Sequence, residues 1–125
     1  MSKTRKIYYR KLVRDNIPEK IKKKGSDLSF KILDQKSFEK ELLRKVGEEA
    51  SGLPKITDKS VLIDELADLI EVIEEIKKVK KISSSSLLSA RRKNKKIKGG
   101  FNKRIYLVWS SDDGYRTNER KGGES

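Results

Sequence analysis

The chain has 125 residues, 34% of them hydrophobic and 41% charged, with a formal net charge of +13. That length bounds a single domain with a modest core. The absence of cysteine and histidine excludes a disulfide framework, thiol catalysis and imidazole metal ligands.

No apolar run approaches the roughly 20 residues needed to cross a bilayer. The basic residues 1–10 lack the apolar region of a signal peptide. The sequence therefore reads as cytoplasmic, with no membrane partner.

Residues 7–10 pair two tyrosines with an isoleucine and read as a short strand. Asp15 or Asn16 then offers an N-cap, with Pro18 in the first turn of a short basic helix that stops at Gly25. Arg14 and Asp15 are expected to form an ion pair that fixes this opening turn. Residues 28–33 alternate as a strand does, with Phe30 and Ile32 on one side. Asp34 or Ser37 caps a second helix running to residue 52, weakened internally by Gly47. A polar linker follows, in which Thr57, Asp58 and Ser60 are all able to cap a long third helix over residues 60–79. The serine run 83–86 reads as a loop and N-cap before a fourth helix, which Gly99 and Gly100 terminate. Residues 101–109 read as a last strand, with Tyr106 and Trp109 packing a small sheet rather than stacking on a base. The fold class implied is mainly α: a helical bundle of about four helices with a small three-stranded sheet formed by N-terminal and C-terminal strands. Residues 1–109 form the domain, and 110–125 a polar tail expected to be disordered.

Two helices carry acids where leucines belong. At about 100° per residue, Val61, Leu62, Leu66, Leu69, Val72, Ile73 and Ile76 share one face. Glu65 falls inside that face, and Asp68 at its edge, three residues on and so its neighbour. In the second helix Glu49 projects into the arc of Phe38, Leu42, Leu43, Val46, Ala50 and Leu53. Glu39 lands in the same arc without an evident role. A carboxylate facing a core is costly unless it is paired or binds a cation. Antiparallel helices pack about 8–10 Å apart, so these faces would gather Glu49, Glu65 and Asp68 at one seam. Without nitrogen or sulfur donors, the fitting occupant is a hard cation held by oxygen, Mg²⁺ or Mn²⁺. The competing reading is a lysine from a neighbouring element.

Four stretches of the chain resemble one family when taken together. They are Lys11-Leu12-Val13-Arg14-Asp15-Asn16-Ile17-Pro18, the pair Glu48-Glu49, Glu65-Leu66-Ala67-Asp68-Leu69-Ile70-Glu71-Val72-Ile73, and Gly99-Gly100-Phe101-Asn102-Lys103-Arg104-Ile105. The pattern is similar to that of the all-α nucleoside triphosphate pyrophosphohydrolases, the MazG-like superfamily, in its phosphoribosyl-ATP pyrophosphohydrolase-like branch. The resemblance covers residues 7–108. It implies an Mg²⁺-dependent enzyme that cleaves between the α and β phosphates of a nucleotide, releasing a monophosphate and pyrophosphate, and working as a homo-oligomer (dimer or tetramer).

On the family's acidic pattern, Glu-Glu-x-x-Glu followed by Glu-x-x-Asp, the resemblance implies that Glu49, Glu65 and Asp68 are metal ligands. It makes Glu48 the residue that orients or deprotonates the attacking water. Arg91, Lys95 and Lys98 share one side of the fourth helix and are the expected phosphate contacts, against simple surface solvation. One departure stands out: the last glutamate of the first half is Gly52 here. Either water replaces that ligand, or metal binding is weak, or the protein is not a working enzyme.

Charge is unevenly distributed. Residues 60–76 hold six acids and no base, and residues 77–104 hold twelve Lys or Arg and no acid. The basic block supports an alternative of another class, a nucleic-acid-binding module on the same scaffold with an impaired metal site.

Overall fold

The computed structural model describes residues 5–111. Four α-helices lie among them: α1 (Ile17–Lys23), α2 (Gln35–Ala50), α3 (Lys59–Val79) and α4 (Ser84–Lys98), with a 3₁₀ turn at Leu53–Lys55. The chain divides into two compact units, Met1–Ala90 and Arg91–Ser125. None of the helices among the described residues is long and apolar enough to cross a membrane.

Helix starts follow side-chain chemistry. Asp34 caps α2 by accepting a bond from the Ser37 backbone N–H at 2.8 Å. This satisfies one of the amides that a helix N-terminus leaves without a partner. Asp58 caps α3 in the same way, taking the Ser60 amide at 2.8 Å and the Val61 amide at 3.4 Å. The Ser83 hydroxyl accepts from the Ser86 amide at 3.1 Å, so the serine run supplies both the cap and the first turn of α4.

Helix ends follow backbone geometry. Past α1, Gly25 adopts φ +83° while the Ser26 amide reaches back to the Ile21 carbonyl, closing a Schellman motif. Past α3 the same motif is made without glycine. Lys81 takes φ 57°, with its amide on the Lys78 carbonyl and the Ile82 amide on that of Lys77. Gly99, at φ +82°, ends α4.

The first unit is organised by α2 packing on α3. The pair is antiparallel. Glu39 near the start of α2 meets Lys80 at the end of α3, at 3.0 Å. Glu49 near the end of α2 lies beside Glu65 and Asp68 in the first half of α3. Between the helices, Pro54 in the 3₁₀ turn stops any continuation. Leu62, Leu69, Val72, Ile73 and Ile76 are half-buried at the seam. Among the described residues only Leu42, 6% exposed, is buried, and none is fully enclosed. Leu43, Val61 and Leu66, read as core-facing from the sequence, are exposed instead.

The segment before α1 docks on the closed end of the hairpin. The Lys45 ammonium donates to the Leu12 carbonyl at 2.9 Å, and Arg14 pairs with Asp68 at 3.0 Å. The expected pairing of Arg14 with Asp15 is therefore corrected. The guanidinium turns to an acid 54 residues away, where several negative charges concentrate.

The small three-stranded sheet is also corrected. Residues 7–10, 28–33 and 101–109 are irregular or turn-like, and no strand occurs among the described residues. Alternation says which side chains share a side, but a strand exists only when a neighbour takes its backbone bonds. Tyr106 and Trp109, assigned to that sheet, are exposed. The polar tail expected over 110–125 lies, beyond Ser111, outside the described residues.

Candidate metal centre

Three carboxylates meet where α2 ends and α3 begins. One oxygen from each of Glu49, Glu65 and Asp68 lies within 4.8 Å of the others, and all three residues are half-buried. The cause is helical spacing. Glu65 and Asp68 occupy successive turns of one α3 face, and the antiparallel packing brings the last full turn of α2 opposite them. Around Mg²⁺, with bonds of 2.0–2.1 Å, neighbouring oxygens sit roughly 3 Å apart and opposed ones roughly 4 Å apart. A separation of up to 4.8 Å closes to that by small side-chain rotations, so this donor set fits a hard divalent cation.

The carboxylates are not left alone. Lys45, whose side chain is only 14% exposed, lies 3.2 Å from Glu48 Oε1 and 3.4 Å from Glu49 Oε1. Lys11 lies 3.3 Å from the same Glu48 oxygen. Arg14 takes one oxygen of Asp68, leaving the other available. Three cations thus face four carboxylates. Glu65 has no cation beside it among the described residues.

Glu48 stands apart from the three-acid cluster and points outward, as its position on the helix requires. Partial burial pushes its pKa up, but hydrogen bonds from Lys45 and Lys11 outweigh this and hold the carboxyl below the usual glutamate range. It therefore stays ionised into mild acid. That favours accepting a hydrogen bond from water over removing a proton from it. Glu39, which the sequence left without a role, is an ordinary ion pair: bonds from Lys80 and then Gln35 lower its pKa.

Gly52 adopts φ −87° and ψ −11° just past the end of α2, and a Cβ built there meets nothing within 4 Å. Its lack of a side chain is not a packing requirement. Arg91, Lys95 and Lys98 lie exposed on α4, in the second unit.

The cations at the site went unread in the sequence. For Lys45 the signal was present: it precedes Glu48 and Glu49 by three and four residues, the spacing of helical neighbours. For Lys11 and Arg14 no local signal exists, because their partners lie far along the chain. No family model, curated protein or solved structure matches this chain.

Proposed function

We propose that the protein is an Mg²⁺- or Mn²⁺-dependent nucleotide pyrophosphohydrolase, converting a nucleoside triphosphate or related nucleotide to a monophosphate and pyrophosphate. The observation that carries this reading is the meeting of Glu49, Glu65 and Asp68 oxygens within 4.8 Å, on residues chosen from the sequence for that role. Glu65, half-buried and without an ion-pair partner among the described residues, supports it further. A structural ion-pair network would place a lysine there.

Glu49, Glu65 and Asp68 would hold the cation. Bound there, it would offset charge on phosphoryl oxygens and make a water acidic. Glu48, kept anionic by its lysine partners but directed away from the three-acid cluster, would orient that water through an intervening water rather than directly. Lys11, Arg14 and Lys45 surround the carboxylates in this chain. Lys11 and Arg14, being the more exposed, would swing to phosphate oxygens as point charge and guanidinium fork respectively. Arg91, Lys95 and Lys98, the phosphate contacts expected from the sequence, belong to the second unit.

A homo-oligomer belongs to the same proposal. Among the described residues one leucine, Leu42, is buried, while Ile63, Leu66 and Ile70 lie exposed along one flank of α3. A second copy packing on that flank would remove them from water, at roughly 25 cal/mol per Å² of apolar surface.

The test is pyrophosphate release across standard and damaged nucleotides, with and without Mg²⁺. The reading expects release only with the divalent ion. Release that persists in excess chelator, or none from any nucleotide, would overturn it.

A further inference from the structure

We propose that residues 91–109 form a single-stranded nucleic-acid-binding surface, with α4 cations holding phosphates and Phe101, Tyr106 and Trp109 stacking on bases. This goes beyond the hydrolase reading and does not depend on it.

The charge comes first. Residues 91–104 contain Arg91, Arg92, Lys93, Lys95, Lys96, Lys98, Lys103 and Arg104, and no acid. All are exposed. Six of them occupy the last two turns of α4, a rise of about 10 Å. Arg91 and Lys95, Arg92 and Lys96, and Lys95 and Lys98 are like-charge neighbours at helical spacing, which destabilises a helix unless a counter-charge is present. A nucleoside triphosphate brings three phosphates. Eight cations call for a longer polyanion, whose binding releases condensed counterions.

The aromatics then choose among polyanions. Phe101 is 96% exposed, Tyr106 84% and Trp109 79%. Phe101 opens a turn closed by the Arg104 amide donating to its carbonyl at 3.0 Å. An exposed ring and a guanidinium therefore share one short turn. A run of cations continued by exposed rings is what an unpaired strand needs: a track for phosphates and platforms for bases. A duplex keeps its base faces stacked and offers nothing to these rings. An anionic membrane is disfavoured because the cations spread over more than half of the α4 circumference. Only Ile97 remains as an apolar residue between Arg91 and Lys98, whereas interfacial helices present a broad apolar face.

Trp109 is the chain's only tryptophan, so its fluorescence reports on this segment alone. The full chain is titrated with 20-nucleotide single-stranded RNA, single-stranded DNA, the matching duplex, and anionic phospholipid vesicles, each at several salt concentrations. The expected result is tighter binding of the single strands than of the duplex, quenching of Trp109, and affinity falling steeply with salt. The RNA and DNA arms decide which sugar is preferred. Phe101→Ala leaves charge unchanged and truncates a ring that touches no core. It should weaken single-strand binding roughly 5- to 100-fold without altering the salt slope. The triple variant Arg91→Glu, Lys95→Glu, Lys98→Glu should reduce that slope. Far-UV circular dichroism monitors α4 in both variants. Glu65→Gln should bind the strand like the parent protein, which separates this surface from the carboxylate site. Equal duplex affinity without Trp109 quenching would overturn the proposal. So would wild-type affinity in Phe101→Ala, or binding only to vesicles.

Discussion

Replacing Lys45 with glutamine probes the competition between an internal ammonium and a divalent cation. Lys45 Nζ lies 3.4 Å from Glu49 Oε1. A cation bonded to that oxygen at about 2.1 Å would therefore lie no farther than about 5.5 Å from the ammonium. Two positive charges against one at that distance repel by about 1.5 kcal/mol even at the dielectric constant of water, and by about 6 kcal/mol at an effective value of 20. The smaller figure alone corresponds to roughly a tenfold change in affinity. Lys45→Gln should thus bind Mn²⁺ at least roughly tenfold more tightly at low ionic strength. The metal-free variant should be less stable than the parent, because Glu48 and Glu49 lose a largely buried partner. Isothermal titration with Mn²⁺ measures the first effect. Thermal melts with and without the ion measure the second, with a larger ion-induced rise in Tm expected for the variant. Equal or weaker Mn²⁺ binding by Lys45→Gln would refute the idea that the ammonium competes for the carboxylates.

Three further outcomes follow from the same geometry. Gly47 lies inside α2 with open space around the position of a Cβ, so Gly47→Ala should stabilise the protein by about 0.5–1 kcal/mol in denaturant unfolding. Gly52→Glu fits its open site and ordinary backbone angles and should raise Mn²⁺ affinity; an unchanged titration would show that water already serves at that position. Glu48 and Glu39 both have pKa values held below the usual range, so their contribution to stability is present at neutral pH. It is lost as pH falls from the ordinary glutamate value, about 4.3, through the lower folded values. The double variant Glu48→Gln, Glu39→Gln should accordingly show a flatter loss of stability across that acid range in pH-dependent melts.

The parts of the fold written in local chemistry were legible in the sequence. Asp34 and Asp58 sit where an N-cap must accept a bond, and Gly25 and Gly99 where the backbone turns left-handed. Helical spacing alone put Glu49, Glu65 and Asp68 on facing sides of two helices, and in the structure those oxygens come together. What required a partner distant in sequence was not legible. Alternation over residues 7–10, 28–33 and 101–109 carries no information about a neighbouring strand, and none is present among the described residues. Arg14 was matched with its sequence neighbour Asp15, whereas the field at the end of the hairpin draws it to Asp68. Periodicity places Leu43, Val61 and Leu66 on core faces, but among the described residues there is not enough facing surface to cover them. Lys45 was within reach, since its spacing to Glu48 and Glu49 is local.

Counting bound Mn²⁺ by electron paramagnetic resonance, in the parent protein and in Glu65→Gln, tests the carboxylate site most directly. Glutamine keeps the size of Glu65 and its place in the seam while removing its charge, so the helices should melt as before. The account predicts saturable Mn²⁺ binding by the parent and its loss in the variant. Identical Mn²⁺ signals from the two proteins, or no binding by the parent at millimolar ion, would contradict it.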